Sequence, residues 1–140
     1  MKISVRFTAA VHTLLCIQYF ENEHRVTSDF IAASTGVNAV IIRKILLQLQ
    51  KAGLVATASG VGGSHLLQKP ESITLLDVYR AIHAGEGDRD IFNFHPSPNA
   101  ACPVGRSIHA VLDPALAQAE HALEESLAQT TLASLAKQLP

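Results

Sequence analysis

The sequence has 140 residues, of which 48% are hydrophobic, 16% charged and 5% aromatic, so it can fold as one domain with a small appended element. Few aromatic residues beside abundant Leu, Ala, Val and Ile favour a helical protein over a β-sandwich. No apolar run reaches the roughly 18 residues of a membrane span, and polar residues interrupt residues 1–20, so neither a span nor a signal peptide is predicted. Two distant cysteines, Cys16 and Cys102, do not make a disulfide framework, and we expect a cytoplasmic protein.

The formal net charge of −1 conceals an uneven distribution along the chain. Residues 1–69 carry seven basic against three acidic side chains, a net of +4, whereas residues 70–140 carry four against nine, a net of −5. A split of this size also arises by chance. If it is functional, it indicates that an anionic partner meets the first half of the chain.

The first third of the chain predicts three helices, over residues 5–20, 29–34 and 39–52. Ser28 is the expected N-cap of the second helix and Asn38 that of the third. Gly36 ends the second helix at a position that favours positive φ. Two short helices joined by a tight turn that contains glycine are typical of a helix-turn-helix.

A glycine-rich hairpin and another helix follow. Residues 54–57 and 64–67 are short strand candidates, and the connection between them contains Gly60, Gly62 and Gly63. This hairpin is interpreted as the wing of a winged helix-turn-helix. Thr74 and Asp77 then form a capping-box variant that begins a helix over residues 75–83.

The last part of the chain predicts a segment that associates with a second copy. An irregular stretch covers residues 85–101, and a long helix follows from Pro103 to about residue 127. Pro114 kinks this helix or begins a second one, and the kink is preferred. Thr131 caps a last turn over residues 132–138.

The apolar stripe on the long helix has the spacing of a helix that packs on a partner helix, and it consists of Val104, Ile108, Leu112, Leu116, Ala119, Leu123 and Leu127. The predicted domains are residues 1–83 for DNA binding, 84–102 as a connection and 103–140 for dimerisation.

The third helix carries the candidate base-reading residues. Ile42, Ile45, Leu46 and Leu49 form its apolar stripe, and polar residues fall largely on the other face. Because the first turn of a recognition helix enters the major groove, the sequence places Asn38, Val40, Arg43 and Lys44 near DNA. Arg43 can donate two hydrogen bonds to guanine, and Asn38 can pair with adenine or a phosphate. An ordinary solvated helix face is the alternative, but the position between a turn and a wing argues against it.

The remaining candidates are backbone-contacting residues. Thr27 and Ser28 lie at a helix N-terminus, which favours a phosphate, although capping alone also explains them. Lys2 and Arg6 can neutralise phosphates from the first helix, and the wing contributes Gly62 and Gly63.

Several stretches together resemble the Rrf-two (BadM/IscR-like) family of winged helix-turn-helix transcription regulators. The resemblance is strong over residues 1–83 and looser beyond, and it rests on residues 2–10, 31–37, 43–46, 49–55, 60–67 and 73–82. It implies a homodimer on double-stranded DNA in which the long C-terminal helix crosses to the partner and two wings flank a palindromic site. It also implies a repressor rather than an enzyme.

The sequence departs from this family at two places. Ser59 stands where the wing usually carries an arginine that can enter the minor groove. Members that bind an iron–sulfur cluster use three clustered cysteines after the wing-proximal helix, whereas this chain has only Cys102 there, so a cluster is not supported. The chain is similar to the cluster-less branch, which keeps one cysteine at such a helix start.

Cys102 has three possible roles. Its position before Pro103 puts the sulfur at a helix N-terminus, where the thiolate is favoured, so it can serve as a redox or electrophile sensor. It can also pack as a small hydrophobic residue, or act as a metal ligand with His95 or His109. Cys16 lies on an apolar helix face and is predicted to belong to the core.

The sequence thus predicts a mainly α-helical winged helix-turn-helix regulator with a two-stranded β wing. The competing interpretation is a winged-helix protein-interaction module that does not bind DNA, which the missing wing arginine and the near-neutral charge would favour. A thiol enzyme based on Cys102 is the third hypothesis, but no Cys–His–acid constellation is recognisable.

Overall fold

The computed structural model describes residues 5–58, 63–84 and 91–140. The described chain is mainly helical, with one small antiparallel sheet. The elements in chain order are α1 (Val5–Phe20), α2 (Ser28–Thr35), α3 (Ala39–Lys51), β1 (Val55–Thr57), β2 (Ser64–Leu66), a 3₁₀ turn (Pro70–Ser72), α4 (Leu75–His83), α5 (Pro103–Ala128) and α6 (Leu132–Ala136). The predicted fold class is confirmed.

The helix-turn-helix consists of α2 and α3, and its caps differ from the prediction at one residue. Thr27, not Ser28, is the N-cap of α2: its hydroxyl accepts a hydrogen bond from the Phe30 amide at 3.1 Å, and Ser28 is the first helical residue. Both residues have a capping oxygen, so the sequence does not show which of them takes the extended conformation that an N-cap needs. Gly36 ends α2 with a φ of 74°, as predicted.

The hydrophobic core lies where α1, α3 and α4 meet under the wing. Its fully buried aliphatic side chains include Leu14 and Ile17 of α1 and Ile82 of α4. The apolar stripe predicted for α3 is buried throughout, at Ile42, Ile45, Leu46 and Leu49. Cys16 is 5% exposed, which confirms its predicted place in the core.

The wing is fixed to the helices by a close approach of two backbones. β1 and β2 pair antiparallel, with Ala56 opposite His65, and the Ser64 amide donates to the Val26 carbonyl at 2.9 Å. A Cβ atom on Gly63 would lie 2.5 Å from the Val26 nitrogen. Gly63 is therefore required by packing, because any side chain would push β2 away from Val26.

The C-terminal helix α6 packs against the N-terminal part of the chain. Leu132 is buried, and its amide donates to the Ile73 carbonyl at 2.8 Å. Thr131 caps α6 and forms an isolated antiparallel bridge with Thr74, the N-cap of α4. Thr74 and Asp77 form the predicted capping box. The last turn thus packs on α1 and the 3₁₀ turn; the division into domains at residues 83 and 102 stays a prediction.

The long helix α5 has little packing within the chain. It runs from Pro103 through Pro114 to Ala128 as one helix of 26 residues, and none of these residues is buried. It contacts α4, where the Arg80 guanidinium lies 4.0 Å from the Glu124 carboxylate. The preferred interpretation, one helix that continues through Pro114, is confirmed, and the alternative of a second helix is wrong; the kink stays a prediction.

Membrane-spanning segments were sought within residues 5–58, 63–84 and 91–140. No single helix there is both long and apolar enough to cross a bilayer. The pair α2 and α3, bent by 114° at the break between the helices, reaches the length and apolar composition of a membrane span only when both helices are counted as one segment.

Candidate DNA-binding surface

One exposed face of α3 gathers the residues predicted to read bases. Val40, Arg43, Lys44 and Leu47 are spaced three and four residues apart, so they share one side of the helix, and all four are exposed. Val40 is 50% and Leu47 is 55% exposed. We call these four residues the recognition face. It presents two cations between two aliphatic side chains, which is a surface that can donate to guanine and pack on thymine methyl groups.

Asn38 begins this helix, and its capping role limits what else it can bind. Its side-chain oxygen accepts a hydrogen bond from the Val40 amide at 2.7 Å. Paired recognition of adenine requires both the oxygen and the amide nitrogen of an asparagine. The cap uses one of the two lone pairs of the oxygen, so a paired contact with adenine must use the other one, whereas a phosphate needs only the side-chain nitrogen.

Arg43 links the recognition face to the start of α2. Its Nη1 atom lies 3.5 Å from the hydroxyl oxygen of Ser28. Both residues line a groove of about 380 Å³ that continues along Leu47 and Gln50 of α3 to Thr57 and Gly63 of the wing. The structure thus brings four elements predicted to meet DNA to one groove: the start of α2, α3, β1 and the entry to β2.

The N-terminus of α2 adds backbone donors on the same side. The first amides of a helix have no acceptor within the helix, and their dipoles favour an anion. Thr27 uses its own hydroxyl for the cap. A phosphate near Thr27 would therefore be favoured by the position of this residue at the helix N-terminus and not by its hydroxyl. Asp29, exposed in the same turn, supplies a negative charge that opposes an incoming phosphate.

Arg6 lies away from this groove. Its guanidinium donates to the side-chain oxygen of Gln48 on α3, and Gln48 in turn donates to the Ile82 carbonyl at 3.1 Å. Arg6 therefore connects α1 with α3 and α4, which is a structural role beside the predicted phosphate contact. Gly63 is buried, with the packing role already given. Lys2, Gly62 and Ser59 lie outside the described residues.

Two exposed residues of α3 were missed by sequence reasoning. Ile41 and Leu47 are 40% and 55% exposed, although both are aliphatic. Leu47 follows Arg43 by four residues and Val40 by seven, so continuing the predicted polar face by one turn would have found it. Ile41 precedes the buried Ile42, and the helical spacing that puts Ile42 in the apolar stripe leaves Ile41 outside it, so the same periodicity could have found its exposure.

Cys102 occupies the N-cap position of α5, as predicted. The nearby backbone amide of Gly105, and after it that of Val104, lowers the pKa of the Cys102 thiol below its usual value, while desolvation opposes this weakly. The residue as a whole is half-buried. Gly105 is needed here because an added Cβ would lie 2.5 Å from the Asn99 carbonyl oxygen.

The histidines proposed as partners of Cys102 pack with aromatic rings. The His109 ring lies 4.2 Å from that of Phe94 and 6.0 Å from that of His95, centroid to centroid. In the described part of the chain, no three His, Cys, Asp or Glu side chains are grouped closely enough to hold a metal ion. The structure therefore gives the metal-ligand interpretation of Cys102 no support.

The fold and this surface define a winged helix-turn-helix protein. The family model of the Rrf2 proteins, described as iron-dependent transcriptional regulators, matches residues 3–138. The chain belongs to the Rrf2 family, which confirms the resemblance seen in the sequence. Members of this family are DNA-binding transcription regulators and not enzymes.

Individual relatives agree with this assignment. YwnA of Bacillus subtilis, assigned as an HTH-type transcriptional regulator, is 35% identical over 130 residues, which are 93% of each chain. A solved structure from Lactobacillus plantarum, assigned as a transcriptional regulator, has a TM-score of 0.80 at 27% identity and covers 98% of this chain and 91% of that one. IscR of T. potens has a TM-score of 0.72 at 23% identity, with 100% and 89% covered, and supports the fold alone.

The donor set of this chain does not fit a cysteine-bound iron cluster. The whole sequence contains two cysteines, one buried in α1 and one at the start of α5. Iron–sulfur clusters are usually held by four cysteines, or by two with two histidines. Since no ligand group is assembled within the described residues, no step of the function is assigned to iron.

Proposed function

We propose that the protein is a homodimeric transcriptional repressor that binds a palindromic operator through two copies of the recognition face. The observation that carries this proposal is the face itself, where Arg43 and Lys44 lie between Val40 and Leu47, and where Arg43 and Leu47 also line the groove beside the wing. A dimer with twofold symmetry presents two such faces, and a palindrome presents two equivalent half-sites. Acting on chromosomal DNA, such a regulator would work in the bacterial cytoplasm.

The case for a dimer rests on α5. A helix of 26 residues is about 39 Å long, and none of its residues is buried in the single chain. Val104 is 70% exposed, and Val111 and Leu112, about two turns further along the helix, are also exposed. Since apolar side chains on a long helix gain stability from burial, a second α5 is the partner that best matches their spacing.

The case for a redox response rests on Cys102. Thiolates rather than thiols react with oxidants and electrophiles, and the lowered pKa of Cys102 increases the thiolate fraction near neutral pH. The thiol lies at the first turn of α5, the helix proposed to dimerise. Oxidation there would change the charge and size of a group at the base of the interface, which is a route to altered operator binding.

A protein-interaction module is the second candidate function. It is favoured by the exposed aliphatic residues of α3, Val40, Ile41 and Leu47, since aliphatic residues on a helix also suit a protein partner. It is disfavoured by Arg43 and Lys44 on the same face and by the net charge of +4 in residues 1–69.

The test is DNA affinity measured by fluorescence anisotropy. The duplexes are the promoter region of the protein's own gene and a random sequence of equal length, each at several salt concentrations. We expect tighter binding to the promoter and a linear fall of log affinity with log salt concentration. Salt-independent or absent binding to both duplexes would favour the interaction module.

A further inference from the structure

The two aliphatic residues of the recognition face have no assigned partner in the function proposed so far. Val40 and Leu47 are exposed, and they lie on either side of Arg43 and Lys44. Single exposed aliphatic residues are common on protein surfaces. These two differ because they share one face with both cations, and because Leu47 also lines the groove beside the wing together with Arg43.

The charge of α3 indicates what kind of surface covers this face. The helix contains three basic residues and no acidic one. A partner must therefore offer acceptors to Arg43 and Lys44 and apolar surface to Val40 and Leu47 at the same place. The major groove of DNA does so along a single edge, because guanine presents two acceptors there and thymine presents a methyl group.

An aliphatic side chain in the major groove discriminates among the bases. Guanine and adenine present hydrogen-bonding atoms at the groove edge, and cytosine presents an amino group. An aliphatic side chain that covers such atoms removes them from water without offering a partner, which costs free energy. Against a thymine methyl group the same side chain buries apolar surface, which is favourable. Val40 and Leu47 thus select thymine both by attraction and by a penalty against the other bases.

The spacing along α3 sets the order of the bases. Val40 and Leu47 are seven residues apart, which is about 10 Å along the helix axis. Successive base pairs are about 3.4 Å apart, so this length corresponds to about three base-pair steps. Arg43 and Lys44 lie midway between the two aliphatic residues, and an arginine can donate two hydrogen bonds to guanine.

We propose that Val40 and Leu47 read the methyl groups of two thymines, and that each operator half-site has a guanine between these thymines, within about four successive base pairs. This inference rests on the DNA binding proposed above and names the class of sequence that is bound. The two thymines can lie on either strand, since the methyl groups of both strands project into the same major groove.

The half-site is identified by selection from a library of random duplexes with the full-length protein. The selected half-sites should contain a guanine flanked by thymines in this order. Each thymine of one half-site is then replaced by deoxyuridine, which removes the methyl group and keeps the base pair. Two of these replacements should each weaken binding about two- to fivefold, which is the range expected from the burial of one methyl group.

Alanine variants assign each methyl group to its side chain. Val40→Ala should remove the deoxyuridine effect at one thymine and Leu47→Ala the effect at the other, because the shortened side chains no longer reach the methyl groups. Ile41→Ala is the matched control, since Ile41 is an exposed aliphatic residue of α3 outside the recognition face. It should keep both effects. Alanine has the highest helix propensity, so all three variants should keep α3 folded, which circular dichroism checks.

A base exchange tests whether the methyl group itself is read. Cytosine has no methyl group at this carbon, whereas 5-methylcytosine has one and keeps the pairing of cytosine. With a contacted thymine replaced, the duplex that contains 5-methylcytosine should bind about two- to fivefold more tightly than the duplex that contains cytosine. Equal affinities of these two duplexes at both positions would overturn the inference.

The remaining outcomes separate this inference from the DNA function. Selected half-sites in which no thymine responds to deoxyuridine, or in which both responses survive in both alanine variants, overturn the thymine reading and leave the DNA function standing. Val40→Ala and Leu47→Ala variants that bind every duplex like the unaltered protein also overturn it, and they would point to a protein partner for these side chains. A selection that enriches no sequence overturns both this inference and operator recognition.

Discussion

The Arg43 guanidinium and the Ser28 hydroxyl lie 3.5 Å apart, across the angle between α3 and the start of α2. Ser28 is the first residue of α2, and Arg43 lies in the second turn of α3. Both residues line the groove that continues to the wing. Arg43 is exposed there and can donate two hydrogen bonds to guanine, which makes it the strongest candidate for base recognition.

The first prediction concerns Arg43 and base reading. Arg43→Ala should cost about 1–3 kcal/mol in promoter binding and relax the sequence preference at one position of each half-site. The affinity for random duplex should fall much less. The measurement is anisotropy with promoter, random and singly substituted duplexes at fixed salt concentration.

Lys51→Ala is the matched control for Arg43. Lys51 is an exposed cation on the same helix, but it lies at the C-terminal end, outside the recognition face and the groove. Lys51→Ala should reduce the affinity for the promoter and the affinity for the random duplex slightly and equally. If Arg43→Ala also lowers both affinities equally, Arg43 contacts only phosphate, and base reading must come from Asn38, Val40 or Lys44.

The second prediction concerns the attachment of the wing. In Gly63→Ala the new Cβ would meet the Val26 backbone at 2.5 Å, so β2 must shift. Forced overpacking of this kind costs about 1–3 kcal/mol in the free energy of unfolding. Urea unfolding should show this loss. Leu67→Ala, at an exposed position just after β2, should change the free energy of unfolding by less than about 0.5 kcal/mol. If Gly63→Ala also changes the free energy of unfolding by less than this amount, the packing argument is contradicted.

The third prediction is a pH dependence of Cys102 alkylation. Because the amides of Gly105 and Val104 lower the pKa of this thiol, the rate with iodoacetamide should reach half its maximum at a lower pH in the folded protein than in urea. The thiolate fraction rises with pH, so the rate rises through that lowered pKa and then levels off. Cys102→Ser should remove the fast reaction, because Cys16 is buried. An equal midpoint in folded and unfolded protein would contradict the assignment.

The helices and their caps could be predicted because each has a local cause. The αL turn at Gly36, the Asn38 cap and the Thr74–Asp77 capping box all depend on residues within four positions of one another. The choice between Thr27 and Ser28 could not be made, since both fit a cap equally well. The packing of α6 against α1 and the 3₁₀ turn was also missed, because the Leu132–Ile73 hydrogen bond joins distant parts of the chain.

The candidate site was partly predictable for the same reason. The α3 face follows from helical periodicity, so Val40, Arg43 and Lys44 were found together. The contact of Arg6 with Gln48 depends on how α1 packs against α3. Periodicity within one helix carries no information about such contacts.

The fourth prediction concerns iron. Protein purified without oxygen should show no visible absorption band and no stoichiometric iron or sulfide, because one chain supplies only two cysteines, on α1 and at the start of α5. The measurement is absorption spectroscopy with iron and sulfide analysis after attempted reconstitution. A Cys102→Ser variant treated in the same way is the control. A stoichiometric cluster that this variant loses would show that Cys102 is a cluster ligand and would contradict the prediction.

The last prediction concerns the dimer and the apolar stripe of α5. The stripe residues Leu112, Leu116, Ala119 and Leu123 share one side of a helix in which no residue is buried. Leu116→Glu with Leu123→Glu should place two charges in the proposed interface, where burial of an unpaired charge is costly. Sedimentation at micromolar concentration should then show monomers. Operator affinity should fall, because a monomer contacts one half-site instead of two.

A double variant with the same added charge separates this effect from general destabilisation. Ala117→Glu with Gln118→Glu introduces two acidic residues on the other side of α5, at exposed positions. It should remain dimeric and bind the operator as before. If both double variants stay dimeric, the interface does not involve the stripe. If the unaltered protein itself sediments as a monomer at this concentration, the homodimer proposal fails, and each chain would have to recognise its half-site alone.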